Sequence, residues 1–380
     1  MRNGGRAPVR SSIGWAGLLL IAAVIMSTPV GGAAQTLGKQ SASPFLDRSG
    51  DGIVTLQGWY DPATGLYRTT GWWNAANSVT VLVDYARLKQ TRKYNKVIAT
   101  TFTQAQKKSP SFLNNFYDDE GWWGLAWVDA WDLTHRRAYL KMARSIFENM
   151  KGGWDPTCGG GIWWSKKRQY KNAIANELFL SLAAHLASRD RRHRQEYLKW
   201  ANREWQWFAA SGMVNAKNLI NDGLKIDRNS AGEAVCSNNS GTTWTYNQGV
   251  VLGGLVELSK ADSSPVLLST AQGIASAAVT RLVDRNGVLH DACEPNCGGD
   301  GTQFKGIFLR NLMALDMYSP QPDETRFIQT NADAVWREDR GPGNQFGLVW
   351  SGPFGQADAA TQTSALDALI AAAAIGAKGD

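Results

Sequence analysis

Six apolar stripes at helical spacing recur along the chain, and they leave few ways to fold it. They run through Val79, Leu82, Val83 and Ala86, then Trp123, Trp127 and Trp131, then Ile174, Leu178, Leu182 and Leu186. Further on come Val251, Leu252, Leu255 and Val256, then Phe308, Leu312 and Leu315, and last Leu366, Leu369 and Ile370. Each follows the i, i+3, i+4 pattern of a buried helix face. More charged helical segments lie between them, roughly residues 95–107, 137–149, 194–209, 266–283 and 324–337, with another near 51–60 ahead of the first stripe. Six apolar helices alternating with six amphipathic ones suit a ring of helical hairpins, apolar set inside and charged set facing water. Strand signals are nearly absent. The expected fold is all-α, an (α/α)6 toroid of six inner and six outer helices. Spacing alone does not separate it from an open superhelical stack. A ring also spreads a core that would otherwise exceed the usual limit of roughly 250–300 residues.

The first 34 residues read as a signal peptide. Arg2, Arg6 and Arg10 precede an apolar run over residues 13–26, and Gly32-Ala33-Ala34 offers a cleavage site before Gln35. That run is short for a membrane span, which needs about 20 residues; an uncleaved anchor is the alternative. A polar linker over 35–44 then leads into a single catalytic domain over 45–380. Without the signal the balance is 37 basic against 33 acidic residues, or +4. Such a weak balance argues against a nucleic-acid partner. The expectation is a secreted or periplasmic protein, a monomer, with no membrane association once the signal is removed.

Export makes disulfides plausible. Cys293 and Cys297 are close enough for a local bridge, leaving Cys158 and Cys236 as a second pair, though four cysteines allow three connectivities. A zinc site does not suit their spacing, and no metal or cofactor is expected. Asn238-Asn239-Ser240 is a glycosylation sequon that matters only in a eukaryotic host.

Each apolar helix follows a loop rich in glycine and aromatics, over residues 70–74, 118–123, 158–164, 243–249, 301–305 and 350–354. If the inner helices run parallel, these loops share one end of the ring. They would build a cleft with aromatic platforms and many amide and hydroxyl groups, a surface that suits sugars. Of the 17 Trp, Trp127 and Trp131 fall on a buried stripe and read as core, whereas Trp72, Trp122 and Trp164 sit at loop-to-helix junctions. The sharpest local feature is Asp118-Asp119 in an aromatic setting. Burial and like-charge repulsion split the pKa values of such a pair into an acid and a base. A pair that merely complements a helix dipole is the ordinary alternative. No phosphate loop, dinucleotide fingerprint, G-x-S-x-G elbow or calcium loop is present. Carboxylate-only glycoside hydrolysis needs none of them.

The chain resembles glycoside hydrolase family 76, the α-1,6-mannanases. The resemblance runs through Gly71-Trp72-Trp73-Asn74-Ala75-Ala76-Asn77, Tyr117-Asp118-Asp119 with Gly121-Trp122-Trp123, and Leu125-Ala126-Trp127. It continues through Gly159-Gly160-Gly161-Ile162-Trp163-Trp164, the run from Lys171 to Leu178, and Asn221-Asp222-Gly223-Leu224. Tyr246-Asn247-Gln248-Gly249 and Phe304-Lys305-Gly306-Ile307 complete it. These blocks imply the same toroid and a retaining endo-α-1,6-mannanase. Asp118 is then the nucleophile and Asp119 the general acid/base, with carboxyls roughly 5–5.5 Å apart. Asp222, Trp72, Trp73, Asn74, Trp122, Trp123, Trp164, Tyr246, Asn247 and Gln248 are implied to bind an α-linked mannose polysaccharide or oligosaccharide. Glu120 stands where the family often carries Gln, and a third carboxylate there is expected to shift the acid/base pKa. A transglycosylase of the same fold and a non-catalytic glycan-binding protein are the alternatives.

Overall fold

The computed structural model describes residues 43–262 and 264–378. The expected signal peptide and nearly all of the expected linker lie outside them. Six inner helices form the ring: α2 (Trp72–Leu88), α4 (Tyr117–Thr134), α6 (Ala173–Arg189), α8 (Thr245–Asp262), α10 (Phe304–Tyr318) and α12 (Ala359–Gly376). Each packs on the next, and α12 closes back onto α2. That closure makes the structure an (α/α)6 toroid rather than an open stack. The outer helices are α1 (Pro44–Gln57), α3 (Asn95–Gln104), α5 (Arg137–Lys151), α7 (Arg194–Ala210), α9 (Pro265–Arg281) and α11 (Pro322–Arg337).

Burial follows the sequence pattern. The inner helices are covered nearly all round, so α6 buries even Asn176, Glu177 and Ser181. An outer helix such as α5 buries only the stripe Tyr139, Ala143, Ile146, Phe147 and Met150. Close approach within the ring depends on glycine. A Cβ at Gly249 of α8 would lie 2.6 Å from the Phe308 Cα of α10, and one at Gly306 of α10 would lie 2.4 Å from the Ser364 carbonyl of α12. Among the described residues no helix is long and apolar enough to cross a membrane.

Helix starts have local causes. Proline occupies the first turn of α1, α9 and α11, where its missing N–H costs nothing. Asp358 caps α12 in a capping box with Thr361. The first outer helix begins at Pro44, well before the expected 51–60, because Ser49, Gly50 and Gly52 blur its apolar stripe. A hairpin of Leu224–Arg228 with Ala234–Asn238 was also not anticipated; Ile226 pairs with Cys236 across it. Its residues are mostly exposed, so it carries no apolar alternation.

The cysteines pair as Cys158–Cys236, Cα atoms 5.5 Å apart, and Cys293–Cys297, Cα atoms 4.8 Å apart. The first ties the hairpin to the glycine loop ahead of α6. Asn238 of the sequon uses its amide to bond the Gly212 and Met213 carbonyls and the Asn221 side chain.

The inner helices run parallel. The starts of α2, α4, α6, α8 and α10 surround one cavity, through Trp73, Asp118, Asn172, Tyr246 and Phe304. The last turns of α2, α6, α8 and α10 surround another, of about 310 Å³, through Arg87, Arg189, Lys260 and Met317. The cations at that second mouth complement the negative ends of the parallel helix dipoles. Trp122 contributes to both linings and separates them.

Candidate active site

The cavity at the helix N-termini has a volume of about 410 Å³. Asp118 and Asp119, in the first turn of α4, both line it. The two carboxylates are held from different sides. The Trp164 indole N–H donates to Asp118 Oδ2 at 3.0 Å, while the Asn114 amide donates to Asp119 Oδ2 at 2.5 Å. Asp118 Oδ1 is buried without a partner. Aromatic rings wall the cavity: Trp73 stacks on Trp122, Trp122 on Tyr246, and Tyr246 on Phe304 with centroids 3.8 Å apart. Asp222 faces in and accepts the Tyr170 hydroxyl at 2.5 Å, and Asn239 donates to the same Tyr170 oxygen at 2.8 Å. Asp300 accepts the Trp73 indole N–H at 2.8 Å. Four carboxylates thus face one space, and among the described residues no Lys, Arg or His lines it.

Of the expected sugar-contacting residues, Trp73, Trp122, Trp164, Tyr246 and Asp222 line this cavity. Five do not. Trp72 packs outward on Phe112 and Trp123, and Trp123 is fully buried against Trp127. Asn74 is buried against Gln303, Asn247 is wholly buried, and Gln248 clamps the backbone of Ile220 and Trp244. Successive residues of a helix point about 100° apart, so a short motif at a helix start sends some side chains into the cavity and others into the wall. Trp131, read as core, is half-buried against it. The loop over 350–354 does not reach the cavity; it borders a separate groove with Pro295 and Thr302.

Phe116, Tyr170, Asn172, Asp300 and Phe304 also line the cavity and were not among the expected sugar contacts, though Asn172 and Phe304 lie in motifs of the family resemblance. Asn172 does have a readable signal, as the N-cap of α6. Asp300 has none beyond a position just before a helix.

Burial is the main cause that raises both catalytic candidates. Asp118 is pushed up to about 8, with Asp119 beside it adding repulsion, and Asp119 to about 6, with Asp300 and Glu120 adding to it. The pair therefore carries a proton at neutral pH and titrates as a unit. Glu120 points away from the cavity, fully buried, and bonds Lys166, Asn149 and the Asn114 backbone.

A stability consequence has a definite sign. A carboxyl raised in the folded state keeps a proton that the unfolded chain releases above about pH 4. The folded state then binds more protons, so stability falls as pH rises from about 4 toward about 8. Asp118→Asn removes the share of that loss that Asp118 contributes. In calorimetry its thermal midpoint should exceed that of the wild type at pH 8, with the gap closing toward pH 4. A gap independent of pH would contradict this.

Comparison with known proteins agrees with the geometry. A mannan endo-1,6-α-mannosidase, DCW1, of Candida albicans is 28% identical over 313 residues, covering 74% of this chain and 67% of that protein. The DCW1 of Saccharomyces cerevisiae is 27% identical over 334 residues, covering 79% of this chain and 71% of its own. Among solved structures, an inactive variant of the GH76A α-1,6-mannanase of Salegentibacter sp. HEL1_6, with two adjacent aspartates changed to asparagine and α-1,6-mannotriose bound, superposes with a TM-score of 0.78. It is 25% identical, and the match covers 87% of this chain and 99% of that one. The model of glycosyl hydrolase family 76 matches residues 55–378, nearly the whole ring from the end of α1 to the end of α12, and the chain belongs to that family.

Proposed function

We propose that the protein is a retaining endo-α-1,6-mannanase that works through a covalent glycosyl-aspartate. The observation that carries this reading is the joint exposure of Asp118 and Asp119 to one aromatic-walled cavity, each carboxylate fixed by a different donor. The inactivated double-asparagine relative with its bound mannotriose supports the choice of that pair.

In the first step an Asp118 oxygen attacks the anomeric carbon. The bond to the leaving oxygen breaks, and Asp119 gives that oxygen its proton. In the second step Asp119 takes a proton from water, the water oxygen attacks the anomeric carbon, and the Asp118 carboxylate leaves. In the free protein burial and mutual repulsion keep one proton on the pair. A sugar whose anomeric carbon turns positive in front of Asp118 stabilises that carboxylate as the anion, and the proton then resides on Asp119. Trp164 donates to the anionic form of Asp118 and favours the same distribution. The stacked rings give flat surfaces for the C–H faces of the sugars, and Asp222 accepts from their hydroxyls.

Secretion, resting on the N-terminal segment from Arg2 to Ala34, and a monomeric single domain complete the proposal. Incubation with debranched α-1,6-mannan tests it. Short mannooligosaccharides are expected from the outset, as for cleavage within the chain. Products longer than the input would instead make a sugar the acceptor. Binding without any product over long incubation would leave a glycan-binding protein.

A further inference from the structure

Glu120 is the one acidic residue of the Asp118–Glu120 run that does not line the cavity. Its oxygens take no α4 amide among the described hydrogen bonds, so a mere role at the helix N-terminus does not describe it. It is fully buried. Lys166 Nζ donates to its Oε1 at 2.8 Å, and the Asn114 backbone N–H donates to the same oxygen at 3.1 Å. Asn149 of α5 donates to Oε2. Asn114 is bound at three points. Its N–H is on Glu120, its side-chain carbonyl accepts the Phe116 N–H at 2.8 Å, and its amide reaches Asp119. The segment that supplies Lys166 also supplies Trp164, the donor to Asp118. Its backbone is pinned to the same loop, Lys166 N–H to the Asn115 carbonyl at 2.9 Å and Tyr117 N–H to the Trp164 carbonyl at 2.9 Å.

We propose that Glu120, anchored by Lys166 and Asn149, is a positioning residue that acts through Asn114 to hold Asp119 where it can protonate the leaving oxygen. This rests on the reading of Asp119 as the acid/base. A charge pair one layer behind the cavity fixes a loop residue, and that residue fixes the rotamer of the acid. The other charged groups lining the cavity, Asp118, Asp222 and Asp300, are all carboxylates, and so is Glu120 behind it.

The test uses Asn114→Ala, Glu120→Gln and Lys166→Met in the full chain. Lys166 is partly exposed and Asn114 half-buried, so two of the three variants spare the core, and unfolding midpoints verify all three. On mannan, whose leaving group needs the acid, kcat should fall roughly tenfold to a hundredfold with little change in KM, the size of loss from a small misplacement of a catalytic group. On an aryl α-mannoside with a very good leaving group, the first step should stay near the wild-type rate. The alkaline limb of kcat/KM should also move in opposite directions. Glu120→Gln removes a neighbouring negative charge and lowers it, whereas Asn114→Ala removes a donor to the ionised form and raises it. An equal loss on both substrates with unmoved limbs would overturn the proposal and make Glu120 a purely structural acid. Wild-type activity on mannan in Asp119→Asn would overturn this proposal and the acid/base reading together.

Discussion

Asp118→Asn should abolish turnover of α-1,6-mannan, by at least roughly a thousandfold, while mannooligosaccharide affinity stays within a few-fold of wild type. The expected loss is this large because an amide cannot form the glycosyl-enzyme, and among the described residues no other carboxylate accepts the indole N–H of Trp164. Binding survives because the platforms Trp73, Trp122 and Tyr246 stand on separate helices and keep their mutual stacking. Asp119→Asn should behave differently. It should lose comparable activity on mannan yet keep the first step on substrates with very good leaving groups, since only poor leaving groups need its proton. Steady-state and pre-steady-state rates on the two substrates separate the roles. Wild-type activity on polymer in either variant would remove the assignment.

Lys171→Met should destabilise the fold by about 1–3 kcal/mol, the cost of leaving a buried acceptor unsatisfied, since the partner Asp155 is half-buried and keeps donors from Thr157, Trp163 and Arg168. The Lys171 side chain is fully buried. Its ammonium donates to Asp155 Oδ1 at 3.0 Å and to the carbonyls of Thr157, Gly160 and Gly161 at 2.7, 2.6 and 2.9 Å. It also lies 4.8 Å from the centre of the Trp163 ring. Truncation leaves the Gly160 carbonyl without a donor among the described residues and leaves Thr157 and Gly161 only the long bonds from the Gly160 and Asp155 N–H groups, at 3.3 and 3.4 Å, in a loop that cannot bulge. A Cβ at Gly161 would meet the Trp207 ring at 2.3 Å, and its φ of +81° suits glycine. Lys171→Arg should not rescue, because a planar fork does not match a cage built around a point charge. The same loop leads to Trp164, so KM for mannan should rise in whatever folded protein remains. Denaturant unfolding measures the stability, and a loss below about 1 kcal/mol would show that the cage is dispensable.

The ring was legible because its two helix sets differ physically. Helices such as α6, covered on all sides, must be apolar almost throughout, whereas α5 needs one stripe. The Asp pair was legible because two adjacent carboxylates among Phe116, Tyr117, Trp122 and Trp123 are costly to bury without a task. What was not legible depends on rotation and on ring closure. Trp72 and Trp73 are neighbours in sequence, yet one packs on Phe112 and the other lines the cavity. Asp300 and Asn114 gain their meaning only when the ring or a loop brings them to Trp73 and Asp119. Glu120, expected to shift the acid/base pKa, does raise Asp119 by its charge, but its facing the opposite way and its link to Asp119 through Asn114 were not legible.

The most direct measurement of the central claim is the anomeric configuration of the first product, followed by proton NMR from the moment enzyme meets debranched α-1,6-mannan. Two displacements at one carbon, through Asp118 and then water, give α-anomeric reducing ends first, with the β-anomer growing in only as they mutarotate. If the β-anomer appears first, a single displacement by water is at work, and Asp118 is not the nucleophile.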